Sequence, residues 1–387
     1  MPTAVIVDAV RTPTGKRGGK LKDTHPVDLA AHVLNAVRER NGLDPEQVDD
    51  VIMGCVSQLG EQGVNVGRNA VLAAGWPESV PSTTVDRQCG SSQQSAHFAA
   101  QGVMAGVYDI VVASGVESMT RVAMGSNATL GPGFPFGPSM MERYDNHLFN
   151  QGVSAEMIAE KWSIPREELD GLAYQSHMRA QRATEEGRFE PEITPLPVPA
   201  EDGQDELMTI DEGIRPGTTL EKLSTLQPAF QEGGVVTAGN SSQISDGAAA
   251  VLIMSEDKAG ELGLTPKARF VQFALAGVDP VMMLTGPIPA TKKVLDRAGL
   301  TMEDIDLFEV NEAFASVVAA WRREHDADMS RVNVNGGAMA LGHPLGASGA
   351  KLLTTLVHEL ERSGGRYGLQ TMCEGGGMAN ALIIERL

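Results

Sequence analysis

The first 118 residues alternate short apolar runs with stretches in which apolar residues recur at helical spacing. Short apolar runs bounded by turn residues are typical of buried strands, whereas apolar positions three and four residues apart are typical of helices. The pattern predicts strands at residues 4–9, 48–54, 83–86 and 109–114, and helices at residues 26–40, 67–74 and 90–105. Strands that alternate with helices predict a mostly parallel sheet covered on both faces, and therefore the α/β class.

A different pattern occupies residues 119–237. Glycine and proline dominate residues 131–138, which excludes a regular helix or a central strand there. Charged helical stretches follow at residues 153–162 and 166–185, and four prolines within residues 191–199 predict an extended connector. We therefore predict an insertion between two α/β segments.

The α/β pattern returns after Asp246, and this second segment is weakly similar in sequence to the first. Residues 43–51 align with residues 300–308, and residues 108–116 align with residues 367–375. Because the order of the matches is the same in both segments, the pattern predicts an internal duplication.

Two such halves packed about a pseudo-twofold axis would bring the starts of two equivalent helices together. The helix start after Cys89 aligns with the glycine-rich residues 342–346, so the duplication predicts that His343 lies near Cys89. The predicted domains are an N-terminal half (residues 1–118 with 248–266), a loop domain (residues 119–247) and a C-terminal half (residues 267–387).

The chain has 387 residues, is 42% hydrophobic and carries a formal net charge of −19. The length allows a large core in two or three domains, and the negative charge disfavours nonspecific binding to nucleic acid or to an anionic membrane. Cys55, Cys89 and Cys373 lie far apart without metal-ligand spacing, which argues against a zinc site and a disulfide framework. We expect no metal, no nucleic-acid partner and no membrane span, and a reducing, cytoplasmic location for a chain without a leader-like start.

Cys89 is the first candidate for chemistry, because it precedes a predicted helix of small residues. Unpaired N–H groups and the positive end of the helix dipole stabilise a thiolate, so a cysteine at this position is a candidate nucleophile. Buried free cysteines are common and inert, so a core cysteine is the alternative interpretation. Three further segments, residues 311–314, 335–349 and 372–377, combine polar residues with glycines that let a backbone approach an anionic ligand.

Together these segments resemble the thiolase family, whose members cleave or form 3-ketoacyl-CoA thioesters. The resemblance covers essentially the whole chain. Besides the Cys89 segment it rests on Asp8-Ala9-Val10-Arg11-Thr12-Pro13, Thr237-Ala238-Gly239-Asn240-Ser241-Ser242 with Asp246-Gly247-Ala248, Asn311-Glu312-Ala313-Phe314, Gly342-His343-Pro344-Leu345-Gly346-Ala347-Ser348-Gly349 and Cys373-Glu374-Gly375-Gly376-Gly377. It implies two duplicated βαβαβαββ halves in a five-layered α-β-α-β-α core with an inserted loop domain.

The resemblance implies covalent catalysis in which Cys89 attacks the 3-keto carbon and His343 takes the thiol proton. Cys373 matches the second acid/base of the family, which protonates the departing acetyl-CoA enolate. One oxyanion would be held by His343 with a water fixed by Asn311, and the other by the backbone N–H groups of Cys89 and Gly375. Taken without the family, Asn311 is a turn residue after a strand and His343 is a loop histidine.

The resemblance also implies a coenzyme A site along the insertion. Arg215 matches a position that stacks on adenine, and Ser242 matches one that contacts the pantetheine arm. A surface arginine and a turn serine are the alternatives. Coenzyme A and acyl-CoA are substrates, so no cofactor is expected, and by resemblance we expect a homodimer or homotetramer.

Departures from the family pattern bear on the substrate. Acetoacetyl-CoA-specific biosynthetic members carry an insertion-loop histidine where this chain has Asn150, and Glu374 replaces a usually apolar residue. These patterns resemble degradative thiolases, some acting on bulky acyl-CoA, and residues 134–138 are a candidate part of the acyl pocket. We therefore expect degradative cleavage to acetyl-CoA and a shortened acyl-CoA, as in β-oxidation. We also hypothesise that Glu374 raises the pKa of Cys373 if the two side chains approach.

Several alternatives remain open. One is an acetoacetyl-CoA-specific acetyltransferase, and another is a noncatalytic acyl-CoA-binding protein, against which the joint presence of Cys89, His343 and Cys373 argues. A decarboxylating enzyme of ketoacyl-synthase type would share the duplicated fold, but it carries a second histidine where this chain has Asn311. A redox thiol protein is disfavoured because no resolving cysteine is near Cys89 in sequence.

Overall fold

The computed structural model describes residues 2–147, 150–199 and 205–387. Within these ranges the strands are β1 (Ala4–Arg11), β2 (Gly15–Lys16), β3 (Asp50–Gly54), β4 (Ser82–Val85), β5 (Ile110–Ser118), β6 (Leu196–Pro199), β7 (Asp205–Met208), β8 (Ser245–Ser255), β9 (Ala268–Gly277), β10 (Leu307–Val310), β11 (Tyr367–Glu374) and β12 (Met378–Arg386). The α-helices are α1 (Pro26–Asn41), α2 (Val66–Ala73), α3 (Ser91–Met104), α4 (Ser126–Thr129), α5 (Pro138–Arg143), α6 (Gln151–Lys161), α7 (Arg166–Glu185), α8 (Leu220–Ser224), α9 (Glu256–Glu261), α10 (Pro287–Ala298), α11 (Ala315–His325), α12 (Ala338–Leu341) and α13 (Ser348–Ser363).

Ten strands form one hydrogen-bonded network in the order β10-β11-β12-β9-β1-β8-β5-β3-β4, with β2 paired to β8. In the first half β4, β3 and β5 are parallel, and β8 and β1 continue the sheet in antiparallel fashion. In the second half β10 and β11 are parallel, and β12 and β9 follow in antiparallel fashion. The same order therefore occurs twice, as the internal duplication predicts, and β1 joins β9 through two residue pairs.

The expectation of a mostly parallel sheet is wrong, because only the outer strands of each half are parallel. A short turn can join only antiparallel neighbours, and the three-glycine turn after β11 therefore makes β12 antiparallel to it. In the first half β8 enters the sheet after the long insertion, and the pattern of apolar residues alone does not reveal its direction.

Five layers follow from how alternate strand residues pack. Val5 and Val7 of β1 face α1 and α2, whereas Ala4 and Ile6 face a central layer that contains α3 and α13. Strands of the second half pack one face on this central layer and the other on α10 and α11. The layers therefore run α1/α2, first-half strands, α3/α13, second-half strands and α10/α11, which confirms the expected α-β-α-β-α core.

The N-terminal ends of α3 and α13 meet in the central layer. The backbone N–H of Ala350 donates to Ser92 Oγ at 2.9 Å. A side chain at Gly349 would collide with the backbone of Gln93, so glycine permits this close approach. The predicted meeting of the two equivalent helix starts is confirmed.

The insertion packs on the second half and is anchored to β1. Residues of α6 and α7 share an apolar cluster with residues of α11. At the other side of the insertion, the buried guanidinium of Arg11 contacts Glu192 at 2.6 Å and Asp211 at 2.8 and 3.0 Å. A fully buried charge needs such partners, so this cluster fixes the insertion against the core.

Some predicted boundaries differ from the observed ones. The helix predicted from residue 90 begins at Ser91 with Gly90 as its cap, and β5 extends to Ser118. The proline-rich connector ends in β6, which pairs with β7. Among the described residues, no helix combines the length and the apolar character that crossing a membrane requires.

Candidate active site

Cys89 lies in a tight turn between β4 and α3. The carboxylate of Asp86 accepts a hydrogen bond from the Gln88 N–H at 2.7 Å, and Gln88 has a left-handed backbone with φ of 47°. Ser91 Oγ donates to the Gln88 carbonyl at 2.6 Å and accepts from the Arg87 N–H at 3.0 Å. These hydrogen bonds offset the cost of a left-handed non-glycine residue, and the turn directs the Cys89 thiol into the interior.

Cys373 lies near the end of β11, before the three-glycine turn. Gly376 and Gly377 have φ values of 80° and 77°, which glycine adopts without strain. The backbone N–H of Gly375 hydrogen-bonds the sulfur of Cys89, and the two thiols are close enough for a charge on Cys89 to raise the pKa of Cys373. The turn therefore brings the second cysteine and one N–H donor to the first cysteine.

His343 is held by hydrogen bonds to its backbone and to its ring. Its backbone N–H donates to Ser245 Oγ at 3.1 Å, and its Nδ1 lies 2.5 Å from Ser348 Oγ. Ser348 donates its single hydroxyl proton to the carbonyl of Pro344 at 2.9 Å, so towards His343 it acts as an acceptor. With the Ser348 proton assigned to Pro344, Nδ1 is assigned the ring proton, and the lone pair of Nε2 then faces Asn311 Nδ2 at 3.3 Å.

Asn311 is fixed through its neighbours. Its backbone N–H donates to the carbonyl of Thr371 at 3.1 Å. The side chain of Asn333 pairs with both the N–H and the carbonyl of Val310, at 2.8 and 2.9 Å. Asn311 Oδ1 is buried without a hydrogen-bond partner in the described chain, so one acceptor beside His343 remains available.

The candidate nucleophile and base are both uncharged in this state. Burial raises the pKa of Cys89 to about 12, and the charge of Glu374 adds to the rise. Burial also lowers the pKa of His343 to about 3, and the charge of Lys351 adds to the decrease. The expectation of a thiolate stabilised by the helix start is therefore not met, because desolvation outweighs the hydrogen bonds to the sulfur.

Glu374 affects both thiols. Burial raises the pKa of Cys373 well above its usual range, and the charges of Cys89 and Glu374 raise it further. Burial also raises the pKa of Glu374 itself to about 8. The direction of this effect agrees with the hypothesis that Glu374 raises the pKa of Cys373, which stays a prediction.

A cavity of about 1180 Å³ opens beside this cluster. His343, Arg215 and Ser242 all line it, so both predicted coenzyme A contacts share one space with the candidate base. The large apolar side chains that line it are Met119, Met124, Ile214, Phe230, Ile244, Phe314 and Leu345. Cys89 belongs to the same apolar cluster as two of these side chains, Met119 and Leu345. The volume exceeds the roughly 300–1000 Å³ of ordinary small-molecule sites, as an acyl-CoA requires.

Residues 134–138 do not line this cavity in the described part of the chain, so their expected place in the acyl pocket is wrong for the single chain. Phe134 and Phe136 instead contact each other edge to face, with ring centroids 5.2 Å apart. Phe134 is 57% exposed. Met124, which precedes the glycine- and proline-rich segment, lines the cavity instead.

Two family models match nearly the whole chain. The model described as "Thiolase, N-terminal domain" matches residues 4–257, and the model described as "Thiolase, C-terminal domain" matches residues 264–386. The chain belongs to the thiolase family.

Individual thiolases are similar over their full length. The "Steroid 3-ketoacyl-CoA thiolase FadA6" of Mycobacterium tuberculosis is 52% identical over 393 residues, which cover 100% of this chain and 95% of that protein. The "3-ketoacyl-CoA thiolase" of Bacillus subtilis is 45% identical over 394 residues and covers 100% of both chains. The crystal structure of the Bacillus anthracis acetyl-CoA acetyltransferase superposes with a TM-score of 0.92 at 42% identity, covering 100% of this chain and 99% of the other.

This thiolase has a cysteine contact that the sequence analysis missed. The side chain of Gln151 hydrogen-bonds the Cys89 sulfur, and Gln151 and Asn150 both line the cavity. Asn150 caps α6 by accepting from the N–H groups of Gly152 and Val153 at 2.9 and 3.2 Å. The sequence signal for this contact was Asn150, which replaces the histidine of the acetoacetyl-CoA-specific members. This departure marked the segment that contains Gln151.

The thiolase also contains a buried lysine next to the His343 loop. Lys351 Nζ donates to the carbonyls of Leu341 and Gly342 at 2.7 and 3.1 Å. Burial lowers the pKa of Lys351 to about 8. Its charge lowers the pKa of His343, so the lysine supports the neutral base both by position and by charge. In the sequence, the buried lysine could have been recognised as a charged residue three positions after Ser348 in an apolar helix.

Proposed function

We propose that this thiolase cleaves 3-ketoacyl-CoA in the degradative direction and releases acetyl-CoA and a shortened acyl-CoA. The proposal rests on the tautomer of His343, whose Nδ1 is held by Ser348 and whose Nε2 carries a lone pair. This base lines the same cavity as Arg215 and Ser242, and Cys89 belongs to an apolar cluster with Met119 and Leu345, which also line that cavity. A neutral base, a thiol and an acyl-CoA-sized cavity are the parts that thiolytic cleavage needs.

In the first half-reaction Cys89 attacks the 3-keto carbon and its proton passes to Nε2 of His343. Because the neutral thiol and neutral imidazole are the stable pair, proton transfer accompanies attack rather than preceding it. The N–H groups of Gly375 and Cys89 are the proposed donors to the resulting oxyanion. The C2–C3 bond then breaks, and Cys373 protonates the acetyl-CoA enolate.

The thioester oxygen of that enolate is the second centre of developing charge. His343 and a water held by Asn311 are the proposed donors, and the unpartnered Oδ1 of Asn311 supports this role. In the second half-reaction the Cys373 thiolate takes the proton of coenzyme A, and the coenzyme A sulfur attacks acyl-Cys89. His343 returns its proton to Cys89, so the two products leave in ping-pong order.

We further propose a bulky acyl group as the substrate. Two relatives bear 3-ketoacyl-CoA thiolase names, and one of these names includes a steroid. Asn150 stands where acetoacetyl-CoA-specific members carry histidine, and Met119, Met124 and Phe230 line an apolar part of the cavity. Methionines adapt to irregular apolar ligands, which favours a broad acyl site.

A homodimer or homotetramer in the cytoplasm is the proposed setting. β4 ends the sheet network with one edge unpaired within the described chain, and such an edge favours pairing with a second copy. All three cysteines are free, which suits a reducing compartment. Size-exclusion chromatography with light scattering tests the assembly, and a monomeric mass at micromolar concentration would contradict it.

The activity is tested by following coenzyme A-dependent loss of the 3-ketoacyl-CoA enolate absorbance. Acetoacetyl-CoA and a bulky 3-ketoacyl-CoA are compared in the wild type, in Cys89→Ala and in Cys55→Ala. Cys55 is a matched control, because it is a buried free thiol that packs in the cluster of α1 and α2. We expect activity in the wild type and Cys55→Ala, none in Cys89→Ala, and preference for the bulky substrate. Full activity in Cys89→Ala would reject the mechanism.

A further inference from the structure

A second cavity, separate from the one beside His343, is lined by arginines. Its volume is about 410 Å³, and it shares no lining residue with the large cavity. The charged residues that line it are Arg179, Arg182, Arg188, Glu359 and Arg362. Four cations around one cavity stand out in a chain whose formal net charge is −19.

Two helices end at this arginine-lined cavity. Arg182 lies in the last turn of α7, and Arg362 lies in the last turn of α13. The negative end of a helix dipole attracts a cation, which accounts for one arginine on each helix. It does not account for Arg179, which lies three residues before Arg182 on the same face of α7, because like charges at this spacing repel each other. Burial lowers the pKa of Arg179, and the charge of Arg182 lowers it further.

Two of the four arginines are paired with carboxylates. Arg362 donates to both oxygens of Glu359, from Nη2 at 2.5 Å and from Nε at 2.8 Å. Arg188 donates from Nε to Glu186 Oε2 at 2.7 Å. The other two arginines form no ion pair within the described residues, so the cavity has an excess of positive charge.

Arg179 is held in place by backbone carbonyls. Its Nη1 donates to the carbonyl of Val332 at 2.6 Å, and its Nη2 donates to the carbonyl of Met329 at 2.8 Å. Carbonyls orient a guanidinium without neutralising its charge. Glu309 and Glu312 are near enough to act on this charge, but burial raises the pKa of both carboxyl groups and weakens their ability to neutralise it.

We propose that the arginine-lined cavity binds the diphosphate group of a small molecule. Guanidinium groups present paired N–H donors that match phosphate oxygens, and all four cations here are arginines. Arginines on several sides of one cavity suit an anion whose oxygens point in several directions, which a diphosphate offers and a planar carboxylate does not. Arg179, Arg188 and Arg362 are already oriented, so little freedom is lost on binding. Arg182 makes no hydrogen bond or ion pair within the described residues, and its guanidinium is available to the ligand.

Inorganic pyrophosphate and nucleoside polyphosphates both carry this group. The volume of the cavity lies within the roughly 300–1000 Å³ of ordinary small-molecule sites. Leu307 and Val334 also line it and provide apolar surface for the base of a nucleotide. Coenzyme A contains a diphosphate too, so a test must separate this cavity from the large one.

Isothermal titration calorimetry with pyrophosphate and with ATP tests the proposal in the wild type, Arg182→Ala and Arg215→Ala. We expect Arg182→Ala to weaken the binding of both probes by about 10-fold or more, because it removes a charged hydrogen-bond donor. Arg215 lines the large cavity, so Arg215→Ala should bind at this site like the wild type. Tighter binding of ATP identifies a nucleotide as the ligand, and equal or tighter binding of pyrophosphate identifies the inorganic anion.

The proposed site is the one that Arg182→Ala weakens and Arg215→Ala leaves intact, and the absence of such a site at millimolar probe overturns the proposal. A site lost only in Arg215→Ala belongs to the large cavity. An unchanged melting temperature of Arg182→Ala shows that its effect on binding does not come from unfolding. Thiolysis by Arg182→Ala should equal that of the wild type, so this site and the proposed thiolytic function fail or stand independently.

Discussion

Replacing Ser348 by alanine tests how the base is kept in its active tautomer. In the wild type, Ser348 Oγ accepts the Nδ1 proton of His343 because its own proton is used by the carbonyl of Pro344. Without this acceptor the ring gains freedom to carry its proton on Nε2 instead, where Asn311 Oδ1 is an available acceptor. A ring protonated on Nε2 cannot take the proton of Cys89.

The size of the effect follows from the hydrogen bond that is lost. A buried donor left without an acceptor costs about 1–3 kcal/mol, and the cost is greatest when the ring is the cationic form that follows proton transfer. A loss of about 2 kcal/mol from the transition state corresponds to about a 30-fold decrease in kcat/KM. We therefore expect Ser348→Ala to reduce kcat/KM by about 10- to 100-fold with little change in the KM for coenzyme A.

Thr354→Ala is the matched control for this experiment. Thr354 is buried on the same helix, α13, and its Oγ1 donates to the Ala350 carbonyl at 2.8 Å without contacting His343. Steady-state thiolysis and thermal melting are measured for both variants. Ser348→Ala with wild-type kcat/KM and an unchanged melting temperature would refute the tautomer argument, and equal losses in both variants would assign the effect to helix stability.

Three further predictions concern binding, protonation and anchoring. Arg215→Ala should raise the KM for coenzyme A severalfold while kcat is retained, whereas Arg182→Ala, outside the large cavity, should leave this KM unchanged. Initial rates at varied coenzyme A concentration measure both KM values, and equal values would remove Arg215 from the site. Lys351→Met should move the acid limb of kcat/KM to higher pH, because the lysine charge lowers the pKa of His343 and a protonated His343 is not a base. A pH–rate profile in which this limb does not move would contradict the prediction. Arg11→Met should lower the free energy of unfolding by about 3–5 kcal/mol, because it leaves two buried carboxylates unpaired. Denaturant titration measures the loss, and a change below about 1 kcal/mol would contradict the prediction.

The sequence was most informative where a local pattern determines the outcome. Alternating apolar residues in β1 and the order of the weak internal matches led to the two halves and to the meeting of α3 and α13. The direction of β8 was not predictable, because strand orientation depends on how a distant segment returns to the sheet. The same holds for Arg11, whose partners Glu192 and Asp211 are 181 and 200 residues away.

For the active site too, local motifs were predictable from the sequence and effects of tertiary structure were not. Family motifs marked Cys89, His343 and Cys373, but the helix-dipole argument for a thiolate failed because it left out burial, which raises the pKa of Cys89 to about 12. Gln151 was missed because its contact with the thiol depends on the path of the insertion. Nothing in a single sequence gives that path.

The most direct test of the account is the mass of the enzyme after mixing with a 3-ketoacyl-CoA in the absence of coenzyme A. The covalent mechanism predicts that the intact protein gains the mass of the shortened acyl group, that peptide mapping finds this group on Cys89, and that adding coenzyme A removes it. Cys55→Ala should form the same adduct, and Cys89→Ala should form none. An acyl group on another residue, or turnover without any adduct in rapidly quenched samples, would contradict the assignment of Cys89 as the nucleophile.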